Sequence, residues 1–271
     1  MLAPVIERFV FRPDATSAPK ELTPRWLSLP YTNVTLRTSD GVMIHGWFIP
    51  SPEPKAALLY FHGNAGDCRD WVGVAPGFVR SGFHLFLVDY RGYGRSEGKP
   101  SEKGLYRDGE AAWTWFAERA AAEGLPAFVL GKSLGSAVAA DLAARHAPAG
   151  LILDSAFASM REVVALHARP LPSILVPRMF ETLSKAAEIA CPTLVLHGDA
   201  DAIVPISHGL RLYEKLQSPK ALGIIEGAGH NDLNAFAPYH RWMIDFLNDP
   251  AAVTHDRRAE SERLFRTYSS A

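Results

Sequence analysis

A serine, an aspartate and a histidine lie far apart in this sequence, each in a setting that suits acid–base chemistry. Ser133 stands in Gly131-Lys132-Ser133-Leu134-Gly135, between an apolar run and a stretch of small and apolar residues with helical spacing. A serine on a strand-to-helix turn flanked by glycines has an exposed hydroxyl at the head of a helix whose dipole favours negative charge. The hydroxyl is a poor nucleophile at neutral pH and needs a base, and the base needs a carboxylate to orient it. His230, in Gly227-Ala228-Gly229-His230-Asn231-Asp232, is the best base, because the glycines let a short loop carry it toward Ser133. His197 and His208 lie near the acid without such a presentation, and His62 reads as structural.

The acid is less sharply defined. Asp201 sits a few residues past an apolar run and before Val204-Pro205, where its carboxylate reaches an imidazole. Asp199, nearer the run, is an alternative that would instead hold the turn, and Asp154, after the preceding apolar run, is a second alternative. Acyl transfer also needs two donors aimed at the developing oxyanion. The N–H of Leu134 is one, and the N–H of Asn64, or of Ala65 beside it, is the other. A second Gly-x-Ser-x-Gly, Gly94 to Gly98, is polar and runs into Lys99-Pro100, so Ser96 reads as a loop residue. Gly92-Tyr93-Gly94 lacks the third glycine and the helix of a dinucleotide loop.

These residues must be positioned by a scaffold. Short continuous apolar runs at 57–61, 84–88, 127–130, 151–153 and 193–196 have the character of strands buried on both faces. Helical patterns at 68–81, 104–122, 134–146, 205–217 and 235–247 separate them, with a last strand at 221–226. Residues 33–38 and 43–49 form an opening hairpin around Ser39-Asp40-Gly41. The order predicts an α/β fold, a doubly wound, mostly parallel eight-stranded sheet, with functional residues at the carboxyl ends of the strands.

At 271 residues and 48% hydrophobic, the chain is expected to form a single domain, with a small cap insertion at 157–190 and a tail at 249–271. The apolar residues Val163, Val164, Leu166, Leu171, Ile174, Leu175, Val176, Met179, Phe180 and Leu183 suggest that the cap helps to form an acyl pocket. The tail from Thr254, with arginines among acidic residues, reads as a solvated or frayed helix, with docking on a neighbouring subunit as the alternative. A net charge of −1 excludes an electrostatic nucleic-acid partner. Two cysteines make no disulfide framework, which together with the lack of a signal-like start or a membrane-spanning run predicts a cytoplasmic protein without a stable membrane anchor.

FHGNAGD at 61–67, DYRGYGRSEG at 89–98, GKSLG at 131–135, HGDADAIVP at 197–205 and GAGHND at 227–232 together resemble the α/β-hydrolase superfamily. Within it they resemble the branch of bud-emergence-type hydrolases and animal α/β-hydrolase-domain proteins, some of which are protein depalmitoylases. The resemblance runs from about Phe9 to Leu247. It implies a Ser133-Asp201-His230 triad, no metal or organic cofactor, and a small-molecule ester or thioester as substrate. Membrane-associated members carry an anchor helix or a lipidated cysteine-rich segment before the shared region. Neither precedes it here, which points away from a lipidated protein held at a membrane.

Overall fold

The computed structural model describes residues 10–168 and 176–269. The first of two compact units ends at Val129 and the second begins at Leu130.

In the first unit, β1 (Thr32–Arg37) and β2 (Met43–Ile49) form the expected antiparallel hairpin. Thr38 closes it, its hydroxyl donating to Asp40 at 2.7 Å and its N–H to the Val42 carbonyl at 2.9 Å. β2 pairs antiparallel with β4 (Phe83–Val88), which pairs in parallel with β3 (Ala56–Phe61). Every residue of β3 and β4 is buried, as unbroken apolar runs require, whereas β1 at the sheet edge keeps only Val34 buried. The stretch 68–81, predicted as one helix, is divided into α1 (Cys68–Trp71), a 3₁₀ turn at Val72–Val74 and α2 (Ala75–Arg80). Gly73 weakens the helix, and Pro76 lacks the N–H needed to continue it while fitting the first turn of a new one. α3 (Glu102–Ala122) starts where the Ser101 hydroxyl accepts from the Gly104 N–H.

β5 (Ala127–Lys132) spans the division between the units. The second unit continues with α4 (Leu134–Arg145), β6 (Gly150–Asp154), β7 (Thr193–Gly198), α7 (Ile206–Lys215), β8 (Lys220–Ile225) and α8 (Ala237–Asn248). β6, β7 and β8 are parallel neighbours, and the whole sheet runs β1-β2-β4-β3-β5-β6-β7-β8. It is the mostly parallel eight-stranded α/β sheet that the alternation of apolar runs and helical patterns predicts.

The segment 157–190 contributes α5 (Met160–His167), α6 (Thr182–Lys185) and a 3₁₀ turn. Val163, Val164, Val176 and Phe180 are buried in packing, while Leu166 is 42% exposed. Leu171, Ile174 and Leu175 lie outside the described residues. Two surface cavities, of about 720 Å³ between Ser28 and Gly82 and about 930 Å³ around Tyr213, Lys220 and Arg258, are not lined by Ser133, Asp201 or His230.

The chain end differs from its expectation. Thr254 onward is helical, but α9 (Pro250–Asp256) and α10 (Arg258–Ser269) are docked rather than solvated. Ser261, fully buried, accepts from the Leu222 N–H at 2.9 Å and donates to the Leu222 carbonyl at 3.4 Å. Its hydroxyl satisfies the open edge of β8 as a further strand would. Phe265 packs on Tyr213 with ring centroids 5.7 Å apart, while Arg258 pairs with Glu262 on the wet side. Charge dominates the composition of this helix, so its one small-and-apolar face is easily missed in the sequence.

Replacing Ser261 by Ala should cost about 1–3 kcal/mol of unfolding free energy, the price of a buried N–H left without an acceptor. Urea denaturation measures it, and an unchanged midpoint would argue against the edge-covering role.

Candidate active site

Ser133 lies between the last residue of β5 and the first of α4, with φ 51° and ψ −114°. A non-glycine residue held there costs on the order of 1–3 kcal/mol, so the surroundings must impose it. They do so with three hydrogen bonds: Ser133 N–H to the Asp154 carbonyl at 2.9 Å, and the Ser136 N–H and hydroxyl to the Ser133 carbonyl at 2.9 and 2.6 Å. Gly131 allows the helix to pass close by, since a Cβ there would stand 2.3 Å from the Gly135 carbonyl oxygen. A serine at a helix N-cap normally turns its hydroxyl onto the backbone of its own helix. Ser133 makes no such bond. Its Oγ lies 2.9 Å from Nε2 of His230 instead.

His230 is carried on the turn after β8, where Gly227 has φ 73°. The Gly227 N–H donates to Asp199 Oδ1 at 2.7 Å and the Gly229 N–H to Asp232 Oδ1 at 2.7 Å, which fixes the turn on both sides of the imidazole. Nδ1 of His230 lies 2.7 Å from Asp201 Oδ2. An ionised carboxylate can only accept, so Nδ1 carries the proton and Nε2 is left to accept the Ser133 hydroxyl. Asp201 and His230 are 6% and 8% exposed, so the row of bonds is sheltered from competing water.

Asp201 is itself fixed by the chain around it. Oδ1 accepts from the N–H groups of Ile203 and Val204 at 2.9 and 2.8 Å. Oδ2 also lies 3.5 Å from Nε2 of His197, whose N–H donates to the Val204 carbonyl at 2.8 Å. Burial works against the carboxylate charge, but the hydrogen bonds from His197, His230 and Val204 outweigh it and hold the carboxyl well below the usual range. His208 is pushed down to about 4, chiefly by burial, so it is neutral at pH 7, and its Nδ1 accepts from the Ala158 N–H at 3.1 Å.

The two alternative acids are engaged elsewhere. Asp199 binds the Gly227 N–H and the Tyr268 hydroxyl, the latter at 3.0 Å, and so holds the turn. Asp154 is enclosed by Lys132 Nζ at 2.8 Å, the Ser155 hydroxyl at 3.0 Å and the Tyr239 hydroxyl at 2.8 Å. Sequence reasoning passed over Lys132, Tyr239, Ser155 and Tyr268. Lys132 alone left a signal, a charge at the end of an otherwise apolar strand.

In the first unit, His62 is fully buried against Tyr90, with ring centroids 4.6 Å apart, and its Nε2 lies 3.3 Å from Asp89. The Asn64 carbonyl accepts from Arg12 N–H at 3.1 Å and the Tyr93 hydroxyl at 3.0 Å, and its amide donates to the Val10 carbonyl. Asp67 caps α1, with Asp70 completing a capping box. The Ser96 hydroxyl bridges the Asp89 carbonyl and the His45 N–H in a loop. Cys68 and Cys191 are buried and unpaired, and burial pushes both thiols up.

Residues 52–181 and 174–234 match the family model described as serine aminopeptidase, S33. The chain belongs to this family of α/β-hydrolases. It is 36% identical to the human alpha/beta hydrolase domain-containing protein 17B over 214 residues, 78% of this chain and 73% of that protein. Identity to protein 17C of Xenopus laevis is 34% over 217 residues, 78% of this chain and 68% of the relative. Among solved structures, the Pyrococcus furiosus esterase Pf2001 superposes with a TM-score of 0.73 at 20% identity, over 88% of this chain and 97% of that one. An alpha-beta hydrolase from Vibrio vulnificus gives 0.73 at 22% identity, over 90% and 91%. At such identities the two structures share the fold. No described helix of this hydrolase is long and apolar enough to cross a membrane.

Because the folded state lowers the Asp201 carboxyl below its unfolded value of about 3.9, the resulting stability is present above that pH and lost as pH falls toward the folded value. Asp201→Asn removes this contribution. Urea unfolding at pH 7, 4 and 3 should show a shallower acid loss in the variant than in the wild type; parallel losses would contradict the origin assigned to the shift.

Proposed function

We propose that this hydrolase cleaves carboxylic esters or thioesters of short to medium acyl chains through an acyl-enzyme. The observation that carries the reading is the unbroken row from Ser133 Oγ through His230 to Asp201, with bonds of 2.9 and 2.7 Å. These are the distances at which an imidazole takes a hydroxyl proton as the oxygen attacks a carbonyl.

Ser133 attacks the acyl carbon while Nε2 of His230 accepts its proton. Asp201 keeps Nδ1 protonated and stabilises the imidazolium that forms. His230 then gives the proton to the departing alcohol or thiol. Water, deprotonated by the same imidazole, releases the acid and restores the serine. The tetrahedral oxygen takes its charge at the head of α4, where the Leu134 N–H donates, and the N–H of Asn64 is the second donor proposed. Each such donor is worth roughly 2.7–4 kcal/mol in the transition state. Leu166 and Ile203, each 42% exposed, support an apolar acyl group. They lie near the acid, since the His167 ring N–H donates to the Ile203 carbonyl at 2.8 Å.

The family description favours a second reading, hydrolysis of an aminoacyl amide by the same three residues. An assay pairing p-nitrophenyl esters of increasing acyl length, acyl-CoA thioesters and aminoacyl amides separates the two. Faster turnover of the esters supports the first reading, and faster turnover of the amides the second. Labelling of the wild type by a fluorophosphonate probe excludes a third reading, a catalytically silent binding protein.

Ser133→Ala should abolish fluorophosphonate labelling and lower p-nitrophenyl acetate hydrolysis by about 10³-fold or more while the protein stays folded. A variant hydrolysing at the wild-type rate would refute the assignment.

A further inference from the structure

Lys132, the residue immediately before Ser133, is a buried cation, 4% exposed. Its ammonium has three acceptors for its three protons: Asp154 Oδ1 at 2.8 Å, the Ser155 hydroxyl at 3.1 Å and the main-chain carbonyl of His230 at 2.8 Å. The Asp154 carboxylate is held in turn by Tyr239 from α8 and by Ser155, whose own N–H donates to the Leu196 carbonyl of β7 at 2.9 Å. The ammonium is therefore anchored on β6 and α8, and its third proton reaches the loop that carries the base.

A buried ion pair is a poor stabiliser, since desolvating two charges offsets most of their attraction and apolar residues of similar volume do as well. An apolar residue at 132 could not donate to the His230 carbonyl. The tie connects the backbone of the base to the side chain adjoining the nucleophile, two points 98 positions apart. It also explains why Asp154, at the end of β6, is unavailable to His230: its oxygens are occupied by Lys132, Ser155 and Tyr239.

We propose that Lys132 is a positioning residue for the hydrolytic reaction, its ammonium fixing the main chain of His230 so that the imidazole meets the Ser133 hydroxyl. This rests on the serine-hydrolase reading above. A displacement of about 1 Å at a reacting group lowers rates by up to about 10²-fold, which sets the size of the expected effect.

The variant to make is the double change Lys132→Met with Asp154→Asn, which removes the tie without leaving an unpaired buried charge. It should melt near the wild-type temperature. Its kcat for p-nitrophenyl acetate and its rate of fluorophosphonate labelling should fall about 10- to 100-fold, with KM within about twofold. Wild-type kcat in a normally melting double variant overturns the proposal and leaves the serine-hydrolase reading standing. A wild-type protein that neither labels nor hydrolyses esters or amides overturns both. Should the double variant melt early, kcat and labelling are compared at a temperature where circular dichroism shows both proteins folded: a loss of about 10-fold or more in kcat at unchanged KM supports the proposal, and a wild-type kcat overturns it.

Discussion

Everything at this site depends on the backbone of one residue being held where serines rarely go. At φ 51° the Ser133 side chain is turned off its own helix, so the hydroxyl that would otherwise cap α4 is presented to His230. The conformation is unfavourable by itself and is imposed by neighbours: the Asp154 carbonyl that receives Ser133 N–H, the Ser136 side chain that binds the Ser133 carbonyl, and the bare Cα of Gly131. The strain is local, and the following strands of the same unit, β6 and β7, are buried along their whole length.

Asp201 and His230 are held by a different device. Neither Asp201 nor His230 lies within a helix, and β7 and β8 end before them, so their placement relies on loop hydrogen bonds. Asp201 gathers two backbone N–H groups, and Asp199 ties its own loop to the glycine turn of His230. The C-terminal helix takes part through Tyr268, which adds a donor to Asp199. The tail is thus connected to the loops of the site as well as to the edge of the sheet. His197 sits behind Asp201 with Nδ1 buried and unpartnered, a polar atom tolerated because the ring's other nitrogen serves the acid loop.

Three carboxylates at adjacent strand ends have three separate duties, assigned by their environments. Asp201 keeps its charge through donors that outweigh burial. Asp199 holds a turn, and Asp154 balances the buried ammonium of Lys132 beside Ser133. In an α/β sheet these positions are nearly equivalent along the chain, so the choice among them is made by which donors surround each one.

How much of this could be read beforehand follows from the range of the interactions involved. The inner strands were legible because unbroken apolar runs such as Leu58–Phe61 and Leu85–Val88 are local patterns, and the opening hairpin because Ser39-Asp40-Gly41 is local turn chemistry. Ser133 was legible because Gly131 and Gly135 flank it, and His230 because Gly227 and Gly229 precede it, glycines marking where a backbone must bend or be approached. The break of 68–81 at Pro76 was also written locally, although the apolar content of the stretch masked it. The sequence set Asp201 ahead of Asp199 and Asp154 by position alone, since each follows a buried strand and is told apart by partners such as Gly227, His230 and Tyr239, which lie 28, 29 and 85 residues away along the chain. The same holds for Ser261 and Tyr268, ordinary polar residues in a charged helix until β8 and the acid loop are set beside them. Short-range propensity and spacing determined the elements and the chemically active residue types; long-range packing alone decided which oxygen meets which proton, because hydrogen bonds act over about 3 Å and no local pattern records which distant segments come that close.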